Sequence, residues 1–287
     1  MIGDHGRFVW YELMTTDAAA AQRFYASVVG WDAQEAATSE LDYTLLTSGG
    51  IPVCGLMGLP QDALKKGATP RWTGYVAVAD VAAIAEAIKR RGGAVYVPPT
   101  DTNIGRIAVV ADPQTATFAL VEGLKVDRPA SEAFYQPGHV GWHELFAVDR
   151  EAAFAFYSAA FGWQRAEGEA ESPYQLFSLG DDTIGGMFTK PAAAPIPFWL
   201  YYFNVDDLDA ALRRTKAGGG QVFEGPLELA DDVWMARCRD PLGALFALRG
   251  ARSRKAIERD PVAELGWSST WGGFSSRGRV VVDKRRK

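Results

Sequence analysis

One internal repeat organises this chain of 287 residues. The segment Trp10–Leu13 recurs 132 residues later as Trp142–Leu145, and further matches follow at offsets of 126 to 132. The other matched pairs are Asp17 with Asp149, Phe24-Tyr25 with Phe156-Tyr157, Gly30-Trp31 with Gly162-Trp163, Trp72 with Trp199, Asp80 with Asp206, Gly92-Gly93 with Gly219-Gly220, and Asp112-Pro113 with Asp240-Pro241. Such self-similarity indicates that two halves of the chain fold alike.

Each half is predicted to contain two units of one strand, one helix and three strands. The segment Phe8–Met14 alternates as a half-buried strand does, and Thr16 or Asp17 then caps a helix that Gly30 ends. Four βαβββ units in succession predict an α+β fold. The expected boundaries are a first domain at 1–125, a linker at 126–138, a second domain at 139–249 and a C-terminal extension at 250–287.

The βαβββ order and its motifs resemble the vicinal oxygen chelate superfamily, which includes glyoxalase I, bleomycin-resistance proteins and extradiol dioxygenases. The motifs are Trp-x-Glu-Leu before the first helix, Phe-Tyr within it, Gly-Trp at its end and Asp-Pro before the last strand. Both halves carry all four, and the resemblance covers about residues 7–248. It implies two glyoxalase-like domains, each with a sheet curved into a cup that holds the ligand.

The resemblance also implies positions for a divalent metal, whose ligands in the enzymes are His, Glu or Gln. In this sequence the first-strand position falls on Trp10 and Trp142, and the last-strand position on Ala119 and Ala247. Further positions fall near Gly74 and Leu200. Neither Trp nor Ala can ligate a metal, so we expect no cofactor. A redesigned site using Glu12 or Glu144 is the alternative, and an extradiol dioxygenase is not expected.

Glu12 and Glu144 are the candidate catalytic residues. Strand alternation places Glu12 on the same face as Trp10 and Met14, and Glu144 on the same face as Trp142 and Phe146. A carboxyl group in an apolar cup has a raised pKa and can act as a general base or hydrogen-bond acceptor. The alternative is a buried structural Glu, for which Arg106 is a candidate partner in the first half, where the second has Trp234.

Aromatic residues are the candidate ligand-binding residues, because aromatic walls suit planar or apolar ligands. Their alternative role is core packing. The predicted set is Trp10, Met14, Trp72, Trp142, Phe146 and Trp199. His143 aligns with Tyr11 and is predicted to point away from Glu144, as a packed residue rather than a catalytic one.

Charge and cysteine usage limit the partners. Residues 1–248 carry 19 Lys and Arg against 31 Asp and Glu, and an acidic body is a poor nucleic-acid surface. Residues 249–287 carry 11 against 4, which indicates a solvated or docking basic tail. Two lone cysteines, Cys54 and Cys238, favour a reduced, cytoplasmic setting, and we expect no secretory signal and no membrane contact.

Three functions remain open at this point. The first is a metal-independent protein that binds a small aromatic or hydrophobic molecule. The second is a glyoxalase-like lyase or isomerase that uses a Glu base on a carbonyl substrate. The third is an interaction module that uses the basic tail, and a homodimer is possible in each case.

Overall fold

The computed structural model describes residues 4–35, 43–65, 67–126, 136–166, 172–230 and 232–252. The basic tail from residue 253 onward therefore lies outside the described residues, and so do the predictions made for it. The elements of the first half are β1 (Phe8–Thr15), α1 (Ala18–Val29), β2 (Asp32–Glu35), β3 (Tyr43–Ser48), β4 (Ile51–Gly58), α2 (Gln61–Lys65), β5 (Arg71–Ala77), α3 (Val81–Arg90), β6 (Ala94–Thr102), β7 (Gly105–Ala111) and β8 (Thr117–Glu122).

The second half repeats this order without the short helix α2. Its elements are β9 (Val140–Ala147), α4 (Arg150–Phe161), β10 (Gln164–Arg165), β11 (Tyr174–Leu179), β12 (Asp182–Thr189), β13 (Phe198–Asp207), α5 (Leu208–Ala217), β14 (Gln221–Ala230), β15 (Val233–Arg239) and β16 (Leu245–Ala251). The prediction of four βαβββ units in an α+β fold is confirmed.

Each half forms one sheet of eight strands. The order is β2-β3-β4-β1-β5-β8-β7-β6 in the first half, and the same order recurs in the second as β10-β11-β12-β9-β13-β16-β15-β14. The central two strands of each sheet are the first strands of its two units, which are β1 and β5 in the first half and β9 and β13 in the second. The strands of each central pair run antiparallel. Residues on these strands therefore lie at the middle of each sheet.

Side-chain caps explain where the helices begin and end. Asp17 accepts a hydrogen bond from the Ala20 backbone N–H at the start of α1, and Gly30 ends the helix with a φ of 87° that only glycine adopts readily. Asp149 and Gly162 play the same parts for α4. The repeat matched Asp80, the N-terminal cap of α3, with Asp206. In the structure the N-terminal cap of α5 is the next residue, Asp207.

The two halves pack against each other through their helix-bearing faces, which share one large hydrophobic core. Polar bonds cross this interface in matched pairs. The hydroxyl of Tyr25 donates to Asp240 at 3.1 Å, and that of Tyr157 donates to Asp112 at 3.1 Å. The Phe-Tyr and Asp-Pro motifs of the repeat thus serve to join the halves.

Both cysteines are buried and free, as the sequence predicted. No helix within the described ranges has the length and apolar character needed to cross a membrane.

Candidate functional site

The face of each sheet turned away from the shared core carries its own buried cluster, and we call these faces the first cup and the second cup. The first cup contains Val9, Trp10, Tyr43, Tyr75, Ile104, Ala119 and Val121. The second cup contains Phe146, Phe188, Leu200, Tyr202, Met235 and Ala247, with Trp142, Tyr174 and Phe198 packed against them. Both cups include residues from the first strands of the two units. Alternation places every second residue of these strands on the cup face.

Glu12 lies in the first cup among phenol and indole groups. The Tyr75 hydroxyl donates to Glu12 Oε2 at 2.5 Å, and Tyr43 also hydrogen-bonds the carboxyl group. Trp10 in turn donates its indole N–H to the Tyr43 oxygen at 3.1 Å. Burial raises the pKa of Glu12, and the hydrogen bonds from Tyr75 and Tyr43 offset part of that rise.

Glu144 lies at the corresponding place in the second cup, but its surroundings are charged. Tyr202 donates to Glu144 Oε2 at 2.7 Å, and the Arg237 guanidinium approaches the same oxygen through Nη2 at 2.8 Å and Nε at 3.1 Å. Arg237 also pairs with Glu224. The side chains of Glu144 and Arg237 are only 3% and 12% exposed, so this is a buried ion pair.

The wall of the second cup is aromatic. Phe146 stacks on Phe198 with ring centroids 4.4 Å apart and packs edge-on against Phe188 at the same separation. The Trp142 indole donates to the Tyr174 hydroxyl at 2.9 Å. Ring contacts and a hydrogen bond thus fix how these aromatic side chains are arranged in the wall.

Trp72 and Trp199 do not join the other predicted ligand-binding residues. The structure places both in the core between the halves, where their indoles donate to Tyr25 and Tyr157 at 2.8 and 3.0 Å. The reason is register, since Trp72 pairs with Leu13, which faces the core, whereas Thr73 pairs with Glu12. The structure thus brings together Trp10, Glu12 and Met14 on one cup face and Trp142, Glu144 and Phe146 on the other.

His143 points away from Glu144, as predicted. Its Nδ1 lies 2.6 Å from the Ile184 carbonyl oxygen and its Nε2 lies 2.6 Å from the Tyr11 hydroxyl, while Phe8 stacks on the ring at 4.4 Å. Because a carbonyl only accepts, Nδ1 carries the proton and Tyr11 donates to Nε2. Burial lowers the pKa of His143 to about 4, so the ring is neutral at pH 7.

Register also tests the family's metal positions. Tyr75 lies beside Trp10 and Ala119, and Tyr202 lies beside Trp142 and Ala247. The cup-face residue next to Trp10 is thus Tyr75 rather than Gly74, whose missing side chain leaves space for Tyr201 of the other half. Indole and methyl groups offer a metal no lone pair, so Trp10, Trp142, Ala119 and Ala247 do not fit a divalent metal. The described ranges contain no group of three or more His, Cys, Asp or Glu that could hold one.

Sequence reasoning missed the partner of Glu144 and proposed a wrong partner for Glu12. Arg106 lies near exposed Asp101, 3.9 Å away, and not beside Glu12. The basic partner of Glu144 is Arg237, which lies on the second-cup face of β15. The repeat offered one clue to Arg237. At the offset of 128 that relates Asp112 to Asp240, Arg237 aligns with Val109, so the second half has a charged residue where the first has an apolar one.

A family comparison agrees with this geometry. The sequence profile of the Glyoxalase/Bleomycin resistance protein/Dioxygenase superfamily matches residues 7–120 and 136–248. The chain belongs to this superfamily. Among solved structures, the Mn(II)-bound glyoxalase from Novosphingobium aromaticivorans is similar with a TM-score of 0.61 at 14% identity, covering 86% of this chain and 82% of that one. At this identity the likeness shows the fold alone.

Curated relatives of this superfamily member align over most of their length. The CFP32 protein of Mycobacterium tuberculosis, whose name marks it as a candidate glyoxylase, is 32% identical over 244 residues, which is 83% of this chain and 92% of CFP32. The anthracycline biosynthesis protein DnrV of Streptomyces peucetius is 30% identical over 257 residues, which is 85% of this chain and 92% of DnrV.

Proposed function

We propose that this superfamily member binds a small planar aromatic molecule in its cups without the help of a metal. The observation that carries the proposal is the combination, in each cup, of one buried carboxyl group hydrogen-bonded to a tyrosine and a surrounding wall of aromatic rings. Ligand sites are mostly apolar with a few placed polar groups, which is the composition of both cups.

The name of one relative supports a planar ligand rather than a chain-like one. DnrV is named for the biosynthesis of anthracyclines, which contain fused aromatic rings. A fused ring system would stack on the walls, and its hydroxyl or carbonyl groups would exchange hydrogen bonds with the Glu and Tyr side chains at the centre. The cytoplasmic location and a homodimer stay predictions.

Tryptophan fluorescence tests this proposal. We expect a hydroxyanthraquinone to quench the emission of the full chain saturably, with an affinity on the order of micromolar, while a saturated tricyclic alcohol does not. Trp10→Phe and Trp142→Phe form a matched pair, because each should remove the signal from one cup only. No saturable quenching by any fused aromatic would contradict the proposal. Equimolar divalent metal in protein purified without chelators would contradict its metal-free part.

A second candidate is a lyase or isomerase that acts on a carbonyl substrate with Glu12 as its base. The specific observation is that burial raises the pKa of Glu12, and that no basic side chain among the described residues hydrogen-bonds it. CFP32 bears a glyoxylase name, which supports this chemistry. Glu144 is a weaker base candidate, since the guanidinium of Arg237 holds its carboxylate.

Turnover of carbonyl compounds by matched variants tests the second candidate. Glu12→Gln keeps the shape of the side chain and removes the base, so it should lower kcat by about a hundredfold or more. Glu144→Gln, measured on the same substrates, should leave kcat within about threefold of the unsubstituted protein, because a base at Glu12 is untouched. Equal rates for Glu12→Gln and the unsubstituted protein would rule out the role.

A further inference from the structure

Arg71 is a cation of the first cup, and none of the residues that the structure describes supplies a counter-charge for it. It is the first residue of β5, it is half-buried, and it pairs in register with Met14, which shares a face with Glu12. Its Nε atom is buried without a hydrogen-bond partner. Within the described part of the chain, no carboxylate pairs with its guanidinium. The nearby electrostatic partner is Tyr96, which offers a phenol and not a carboxylate.

The second half shows that the fold does not require a cation at this place. The comparable residue is Phe198, which pairs with Phe146 in register and stacks on it. In the second cup, the guanidinium of Arg237 is matched by the carboxylates of Glu144 and Glu224. The first cup therefore contains an unmatched positive charge where the second contains an aromatic ring.

A guanidinium that is half-buried with no counter-charge beside it is unfavourable for stability. A guanidinium cannot give up its proton at neutral pH, and removing it from water without an anion or full hydrogen bonding is unfavourable. In keeping with this, burial lowers the pKa of Arg71. Glu12 does not relieve the charge, because its carboxyl group bonds to Tyr75 and Tyr43 instead.

We propose that the first cup selects an aromatic molecule that carries a carboxylate, and that the Arg71 guanidinium pairs with this carboxylate. The inference rests on the proposed function, which supplies the aromatic part of the ligand. A planar guanidinium meets the two oxygens of a carboxylate with two parallel hydrogen bonds. The rings of the same molecule would lie against Trp10 and Tyr75, deeper in the cup.

Two probes of equal shape separate the charge from the rings: anthraquinone-2-carboxylate and anthraquinone-2-carboxamide. At low salt and pH 7.5 we expect the full chain to bind the carboxylate about tenfold more tightly than the carboxamide, by fluorescence or calorimetric titration. Arg71→Met keeps the length of the side chain and should remove this preference, while the Kd of the carboxamide stays the same. Arg106→Met, an exposed arginine of the same half, is the matched control and should change neither Kd.

Salt and a conservative variant keep the test decisive if Arg71→Met does not fold. Between about 20 and 300 mM NaCl the Kd of the carboxylate should rise while that of the carboxamide does not. Arg71→Lys keeps the charge but loses the paired geometry, so it should retain part of the preference. Equal, salt-independent binding of both probes would overturn the inference and leave the proposed function standing. Failure of both probes to bind would overturn both.

Discussion

Replacing Arg237 with methionine is expected to lower the free energy of unfolding by about 3–5 kcal/mol. The Glu144 side chain is 3% exposed, and its carboxylate shares one oxygen between Tyr202 and the guanidinium. Without the arginine the carboxylate would remain buried with no cation. Urea denaturation followed by circular dichroism measures the change, provided that the slope against urea is the same in both proteins.

A double variant tests whether the loss arises from the unpaired charge. Glu144→Gln combined with Arg237→Met removes both charges of the buried pair and keeps the acceptor for Tyr202. Only the more exposed carboxylate of Glu224 then lacks its cation, so the double variant should recover most of the stability. Glu12→Gln is the matched change in the first cup and should cost no more than about 1 kcal/mol, because no ion pair is broken there. If the free energy of unfolding of the single Arg237→Met variant lay within about 1 kcal/mol of that of the unsubstituted protein, the Glu144–Arg237 ion pair would not be needed to stabilise the second cup.

Acid is expected to destabilise the protein through His143 well before most carboxylates titrate. The folded-state pKa of His143 is about 4, below the unfolded value of 6.5. The unfolded chain therefore takes up a proton first, and the stability that the neutral ring contributes above pH 6.5 is lost as the pH falls toward 4. Between pH 7 and pH 5 we expect a loss of about 2 kcal/mol.

The variant His143→Gln isolates this contribution. Its amide can donate to the Ile184 carbonyl and accept from the Tyr11 hydroxyl, but it does not titrate. Burial raises the pKa of Asp112 and Asp240, which act in the opposite direction, and they are common to both proteins. The difference in unfolding free energy between the two proteins should therefore shrink by about 2 kcal/mol from pH 7 to pH 5. A constant difference would mean that His143 does not stay neutral in the fold.

The sequence was sufficient for the fold because its signals are local and occur twice. The Asp17 side chain caps the start of a helix and the left-handed backbone of Gly30 ends it. Asp149 and Gly162 do the same for the matching helix of the second half. Strand alternation likewise predicted that Glu12 shares a face with Trp10, because both lie on one strand.

The site was predictable only in part because its remaining members come from other strands. Alternation gives two faces to a strand without saying which one faces the cup, so Trp72 was assigned to the wrong face of β5. Arg237 and Glu144 are 93 residues apart, and their pairing depends on how β15, β16, β13 and β9 lie side by side. Arg71 escaped notice because a missing partner is visible only in three dimensions.

The crossed tyrosine–aspartate bonds between the halves have an evolutionary consequence. Tyr25 donates a hydrogen bond to Asp240, and Tyr157 donates one to Asp112. A mutation of any of these residues in one half therefore removes a hydrogen-bond partner from the other half. The cups lie on the opposite faces of the sheets, where each buried cluster contains residues of one half only. The duplication therefore constrains the shared core, whereas the side chains of the two cups can diverge independently within one chain.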